Sequence, residues 1–279
     1  MEGALPTNTI AKTVLFLGGG RITGALVRGL RLAGDERAII VRDRHPEKLR
    51  ALRRSCHVEV ARELRSALER TEMLIVAVRP SSVREAIEEV RASQASLPQL
   101  CISLAAGIPL RSLRRWLGTP ARWVRAMPSP VCRIRKGLTP VSFDRNATKQ
   151  DRSDVRTFFA QVGPVLDLPE RQMDAITAAH SPTHGYHALA ALAAAVEASG
   201  LDRHTALAAA AHALCDGIEY WRQSGIELDE LLQEAATPGG IAAATMAAMD
   251  KAKYASAVTN GIQAGIARAR RNAKEFAST

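Results

Sequence analysis

Thr13–Leu30 reads TVLFLGGGRITGALVRGL, and no other stretch limits the fold as tightly. Thr13–Leu17 is an apolar run of strand length, and Gly18-Gly19-Gly20 then demands a tight turn. From Ile22 the apolar positions fall at Ile22, Ala25, Leu26, Gly29 and Leu30, the spacing of one helical face. A strand, a glycine turn and a helix in that order make a phosphate site. The glycines let backbone N–H groups approach a pyrophosphate, and the positive end of the helix dipole faces it. Gly18 and Gly20 take the first two glycine positions of G-x-G-x-x-G/A, whereas Thr23 stands at the third and Gly24 comes one place late. The glycines alone fit a turn that binds nothing equally well, so the rest of the chain must decide.

Ala38–Val41 is a second short apolar run, closed by Arg42-Asp43-Arg44, and His45-Pro46-Glu47-Lys48-Leu49 begins the next helix. At the end of the second strand an acid holds the 2′-OH of NAD and an arginine holds the 2′-phosphate of NADP. Asp43 and Arg44 offer both, and two arginines beside one acid favour NADPH. The plain alternative is a solvated charge cluster. Glu59–Arg70 reads as helix, Met73–Val78 as a buried strand closed by Arg79-Pro80, Ser82–Arg91 as helix, and Leu100–Leu104 and Arg122–Met127 as strands. Alternation over residues 13–165 implies a parallel sheet covered on both faces. From Met173 to Ala273 alanine-rich helical spacing replaces strands, over Met173–Ser199, Arg203–Ser224, Leu228–Glu234, Gly240–Met249 and Tyr254–Lys274. The expected organisation is an α/β Rossmann-like parallel-sheet domain over 1–168, followed by an all-α dimerisation domain over 169–279.

Composition narrows the class. Aromatics are only 4% of 279 residues, so the core is aliphatic and alanine, and helices poor in large apolar side chains fold by pairing with another copy. The net charge of +10 permits a nucleic-acid partner, but the arginines are spread along the chain and no recognition motif occurs, so none is expected. An anionic cofactor and an anionic substrate suit the same charge. Cys56, Cys101, Cys132 and Cys215 lie far apart with no metal-like spacing, and read as free thiols in a reducing cytosol with no metal site. Residues 1–12 carry no signal-peptide segment, and Ala188–Val196 is too short to span a bilayer. The expected location is the cytoplasm.

Ordered landmarks run through the chain: GGGRITGAL (18–26), AVRP (77–80), SLAAGI (103–108), RAMP (125–128), KGLT (136–139), MDAIT (173–177), TPGG (237–240) and AGIARAR (264–270). Together they resemble Δ1-pyrroline-5-carboxylate reductase, the last enzyme of proline synthesis, over nearly the whole chain. The resemblance implies NADPH at Gly18, Gly20, Arg21, Ile22, Thr23, Arg44, Ala77, Val78, Arg79, Pro80 and Ala105, with NAD not excluded. It implies hydride transfer to the C=N bond of a small cyclic imine carboxylate, and interlocked homodimers, often in larger rings.

Departures from the family gather where it holds substrate. Its MPN-T-P-A segment reads Met127-Pro128-Ser129-Pro130-Val131-Cys132, and its SGSGPAY segment reads His180-Ser181-Pro182-Thr183-His184-Gly185-Tyr186. The threonine that follows TPGG in the family, and that meets the ring nitrogen, is Ala242; the nearest hydroxyl is Thr245. Arg21-Ile22 replaces Asn-Met. Hydride transfer to an imine needs a polar group near nitrogen, so His180 and His184, at i and i+4, and Tyr186 become candidate proton donors. The alternative is ordinary polar side chains at a helix break. Ser129, Thr237, Pro238, Gly239, Gly240 and Ala242 are the expected substrate residues, with helix amides after Gly240 facing a carboxylate and Thr237 as cap. Three readings compete: the same reductase with a rearranged pocket, a reductase of a related C=N compound, or a non-catalytic NADP-binding protein.

Overall fold

The computed structural model describes residues 13–277. Residues 1–12, on which the signal-peptide expectation falls, lie outside the described residues. The described chain forms two compact units, 13–180 with 265–277, and 181–264. The end of the last helix belongs to the first unit.

The first unit is built from β1 (Val14–Leu17), α1 (Arg21–Leu32), β2 (Ile39–Arg42), α2 (Pro46–Cys56), β3 (Glu59–Val60), α3 (Leu64–Glu69), β4 (Met73–Val76), α4 (Val83–Ala92), β5 (Leu100–Ser103), α5 (Leu110–Leu117), β6 (Arg122–Ala126), β7 (Thr139–Phe143), α6 (Lys149–Ala160), β8 (Val165–Asp167) and α7 (Met173–Ala179). Its sheet has the order β3-β2-β1-β4-β5-β6-β7-β8. β1 lies between β2 and β4, with Val14 opposite Ile39 and Met73. The strands read as unbroken apolar runs because both faces are covered. Val14 and Phe16 face a core shared with α1, α2 and α6, while Leu15 and Leu17 face one shared with α3, α4 and α5.

Three expectations change. The sheet is not wholly parallel, since β7 pairs antiparallel with β6, Val124 opposite Phe143, and β8 runs parallel to β7. Pro140, which cannot donate to a ladder, hides β7 from a strand pattern. Glu59–Val60 is an edge strand against Ile40 and Val41, so only Leu64–Glu69 of the expected helix 59–70 forms. The expected helix 173–199 breaks at His180–Pro182, where proline cannot continue the backbone ladder.

The second unit contains α8 (Thr183–Ala198), α9 (Arg203–Ser224), α10 (Leu228–Ala235), α11 (Ile241–Lys251) and the first turns of α12 (Tyr254–Ala277). Asp202 caps α9 by accepting the His204 and Thr205 N–H groups. Among residues 181–264 only Ala206 and Ala210 are buried, while Tyr220, Trp221 and Ile241 are exposed. Among the described residues, no helix is long and apolar enough to cross a membrane.

Candidate functional site

β1, β2, β4 and β5 are parallel neighbours, so the segments that follow them leave the sheet at one end. Those segments are Gly18–Thr23, Asp43-Arg44, Ala77–Pro80 and Ala105, which brings the expected cofactor residues together in the first unit.

Gly18 has φ +107°, and a Cβ there would lie 2.5 Å from the Ala77 carbonyl oxygen. Only glycine fits that backbone and that gap. Thr23, fully buried, donates its hydroxyl to the Gly18 carbonyl at 2.6 Å. The residue in the third glycine position therefore ties the helix back onto the turn. Gly20 is the N-cap of α1, has no side-chain cap, and has nothing within 4 Å of where a Cβ would stand. The first turn of α1 carries no acid. Its amides are unclaimed by side chains and its approach is open, which fits a pyrophosphate. Arg21 is exposed and Ile22 half-buried at the same helix end.

Asp43 belongs to the turn. One carboxylate oxygen accepts the Gly19 N–H at 2.7 Å, and the other accepts the His45 N–H at 2.8 Å. Burial raises its pKa, but these two amides, with Lys48 and His45 nearby, outweigh burial and hold the carboxyl below its ordinary value. Arg44 is exposed and reaches Glu85 at 2.7 Å. Ala77 N–H donates to Leu17 O at 2.8 Å, Val78 and Pro80 are half-buried, Arg79 is exposed, and Ala105 is buried.

The segment after β6 is held from several sides. Met127 N–H donates to Pro140 O at 2.9 Å and Ser129 N–H to Leu138 O at 3.2 Å. The Ser129 hydroxyl, itself buried, accepts the Val131 N–H and caps the 3₁₀ turn Pro130–Ile134. That turn lies against α1 so closely that a Cβ on Gly29 would overlap the Cys132 carbonyl. Beneath it, Arg125 is buried and holds Asp174 at 3.1 Å and Glu170 at 3.4 Å. Glu170 also accepts the Leu110 N–H at 2.6 Å. Sequence reasoning missed the Arg125 and Glu170 ties, as it missed the Gly19–Asp43 bond, because these partners lie 24 to 60 residues apart. Burial pushes the Cys101 and Cys132 thiols up to about 12, so both are packing groups.

The remaining expected residues divide between the units. His180 ends the first unit, with Nδ1 2.7 Å from the Ile176 carbonyl oxygen and Nε2 2.8 Å from the Met127 carbonyl oxygen. Both ring nitrogens thus face backbone carbonyls in this conformation. His184 and Tyr186 are exposed residues of α8 in the second unit. There Gly240, not Thr237, is the N-cap of α11, and it has no side-chain cap. Thr237 instead accepts the Gly240 N–H on its carbonyl at 2.9 Å, and Gly239, with φ +77°, makes the turn after Pro238. Ala242 is exposed, and the Thr245 hydroxyl donates to Ile241 O at 3.0 Å. Among the described residues no three His, Cys, Asp or Glu side chains gather as a metal site.

A mostly parallel sheet with a glycine turn after its first strand and an open, uncapped helix behind it is the architecture of a dinucleotide-binding domain. Residues 13–107 match the family model described as NADP oxidoreductase, coenzyme F420-dependent, and residues 170–272 match that for pyrroline-5-carboxylate reductase dimerisation. Pyrroline-5-carboxylate reductase of Mycobacterium leprae (strain TN) is 30% identical over 277 residues, covering 90% of this chain and 93% of the relative. Pyrroline-5-carboxylate reductase 2 of Bacillus subtilis (strain 168) is 26% identical over 271 residues, covering 95% and 97%. Among solved structures, Plasmodium falciparum pyrroline carboxylate reductase with NADP bound shares the fold, with a TM-score of 0.84 at 19% identity over 94% of this chain and 98% of that one. The Coxiella burnetii pyrroline-5-carboxylate reductase has a TM-score of 0.83 at 24% identity, covering 94% and 98%. The chain belongs to the pyrroline-5-carboxylate reductase family. It is an NAD(P)H-dependent oxidoreductase.

Proposed function

We propose that this chain catalyses the NADPH-dependent reduction of a small cyclic imine carboxylate, either pyrroline-5-carboxylate or a related C=N compound. One observation carries the cofactor half of this reading: α1 begins at Gly20 with open space, no side-chain cap and no acid in its first turn. Bound there, the dinucleotide would supply the hydride. Gly18, Gly20 and Thr23 would set the turn around its pyrophosphate, and Ala77–Pro80 and Ala105 would border it. Asp43 spends both oxygens on backbone amides, leaving exposed Arg44 as the cation for a 2′-phosphate. This favours NADPH over NADH.

On the substrate side, Ser129 gives its hydroxyl to Val131, Ala242 has no polar side chain, and Thr245 turns back to its own helix. Three groups that would orient an imine are therefore spent or missing, which supports a rearranged pocket. The uncapped amides after Gly240 suit a substrate carboxylate. His184 and Tyr186 are the proposed proton donors, since a positioned acid contributes about 10²- to 10⁴-fold. The exposed Tyr220, Trp221 and Ile241 support a homodimer through the helical unit. The cytoplasm is the proposed site of action.

The test is NADPH oxidation with a panel of cyclic imine acids, pyrroline-5-carboxylate included. Turnover with one of them is expected. NADP binding by calorimetry without turnover on any of them would instead make the chain a non-catalytic nucleotide-binding relative.

A further inference from the structure

His180 makes two contacts that a neutral imidazole cannot satisfy together. Nδ1 is 2.7 Å from Ile176 O, and Nε2 is 2.8 Å from Met127 O. Both partners are backbone carbonyls, which accept and never donate. A neutral ring carries one N–H, so one nitrogen would turn a lone pair onto a carbonyl lone pair. Flipping the ring would bring Cδ2 and Cε1 to the two carbonyls and give up both N–H bonds. Only the doubly protonated ring donates twice.

The surroundings favour that cation. Ile176 O lies in the last turn of α7 and also accepts the His180 N–H at 2.9 Å, so the ring sits at the negative end of the helix. The charged side chains on neighbouring elements are of both signs. Asp174 of α7 and Glu170 before it hold Arg125 of β6. α12 packs Gly265 against Ala178 and carries Arg268, which is 3.9 Å from Glu275, with Arg270 and Arg271 beyond it. Arg171 in the turn before α7 is exposed. The ring is half-buried, and no acid is hydrogen-bonded to it among the described residues.

We infer that His180 is a positioning residue that works as an imidazolium clamp. It staples the end of α7 to Met127, the residue that opens the Met127-Pro128-Ser129 segment, and it makes both bonds only while doubly protonated. Losing one proton leaves a single donor for two carbonyls, so one of the two bonds is lost. That this segment meets a substrate rests on the reductase reading above; the protonation of the ring does not.

The first test is nuclear magnetic resonance of full-length protein labelled with ¹⁵N-histidine, near pH 7, with His180→Asn identifying the His180 signals. Both ring nitrogens are expected to carry protons. A bare nitrogen on His180 overturns the clamp, whatever the protein's activity. Neutron diffraction from wild-type crystals reads the same two protons if the variant does not fold. The second test is the melting temperature of wild type and His180→Asn across pH. Two bonds in the cation against one in the neutral ring make the wild-type advantage larger in acid than in base. An advantage that stays constant or grows with pH overturns the proposal. Activity distinguishes a third outcome: without an active substrate the imine reading fails, while the two ring protons still stand or fall by the spectra.

Discussion

Asp43 and Gly19, 24 residues apart, are joined by a 2.7 Å hydrogen bond from the Gly19 amide to the Asp43 carboxylate. An acid at the end of the second strand was expected to meet a ribose, and here it braces the glycine turn. The same carboxylate takes the His45 amide, so it fixes both sides of the crossing between β1 and β2.

This brace is pH-dependent in a definite direction. Asp43 is held below its ordinary value, burial being outweighed by the two amides and nearby positive charge. Its contribution is therefore present above the unfolded carboxylate range, near about 4, and is lost as pH falls through the lowered folded value. Asp43→Ala is expected to weaken NADPH binding about tenfold, the equivalent of one or two lost hydrogen bonds, and to flatten the acid loss of affinity. Calorimetry with NADPH across the acid range checks both. Unchanged affinity in the variant would remove Asp43 from the turn's function.

Gly18 and Gly20 separate folding from binding. Gly18→Ala forces a side chain into φ +107° and against the Ala77 carbonyl, at a cost of about 1–3 kcal/mol in strain. It should lower both melting temperature and dinucleotide affinity. At Gly20 the backbone is extended, with φ −76°, and the space is open. Gly20→Ala should leave the melting temperature near wild type and weaken only the nucleotide, since the methyl would stand in the approach proposed for the pyrophosphate. Equal melting losses in the two variants would contradict this geometry.

Arg122 and Asp151 pin β6 to the head of α6. The guanidinium meets both carboxylate oxygens, at 2.6 and 2.9 Å, and the Thr148 amide and hydroxyl each reach one of them at 2.8 Å. Burial raises the Asp151 pKa, but these partners overcome it and hold the carboxyl low. Asp151→Ala removes the pair and half of the capping box, and leaves Arg122 without its partner. A loss of about 3 kcal/mol is expected from denaturant unfolding, with little change in the substrate constants. A loss below about 1 kcal/mol would mean that the pair is effectively solvated.

Among the histidines of the second unit, His184→Ala should lower kcat/KM far more than His204→Ala. His204 lies in the first turn of α9, where its amide serves the Asp202 cap. A drop of about 10²-fold or more at His184 fits general acid catalysis, and similar effects at both sites would take His184 out of the chemistry.

How much of this was legible beforehand follows from distance along the chain. β1, the glycine turn and α1 are specified within 20 residues by apolar spacing and glycine, and they form where the pattern puts them. The all-helical second half is equally plain, down to α9 at Arg203–Ser224. Alanine on every side of its helices carries almost no signal for which face is covered, so their partner surfaces were not readable from periodicity. β7 was hidden by Pro140, and the edge strand at Glu59–Val60 exists only because Ile40 and Val41 pair with it.

The sequence by itself determined most of the elements and what they offer: a glycine turn ahead of a helix, basic residues after β2, and alanine-rich helices in the second half. Tertiary structure decided what each polar group does. Thr23 closes the turn in place of a third glycine, Asp43 braces it, and His180 bridges α7 to Met127. The physical reason is that propensity and spacing act within a turn or a strand, whereas a hydrogen-bond acceptor 24 or 53 residues away is chosen by how the sheet stacks its strands.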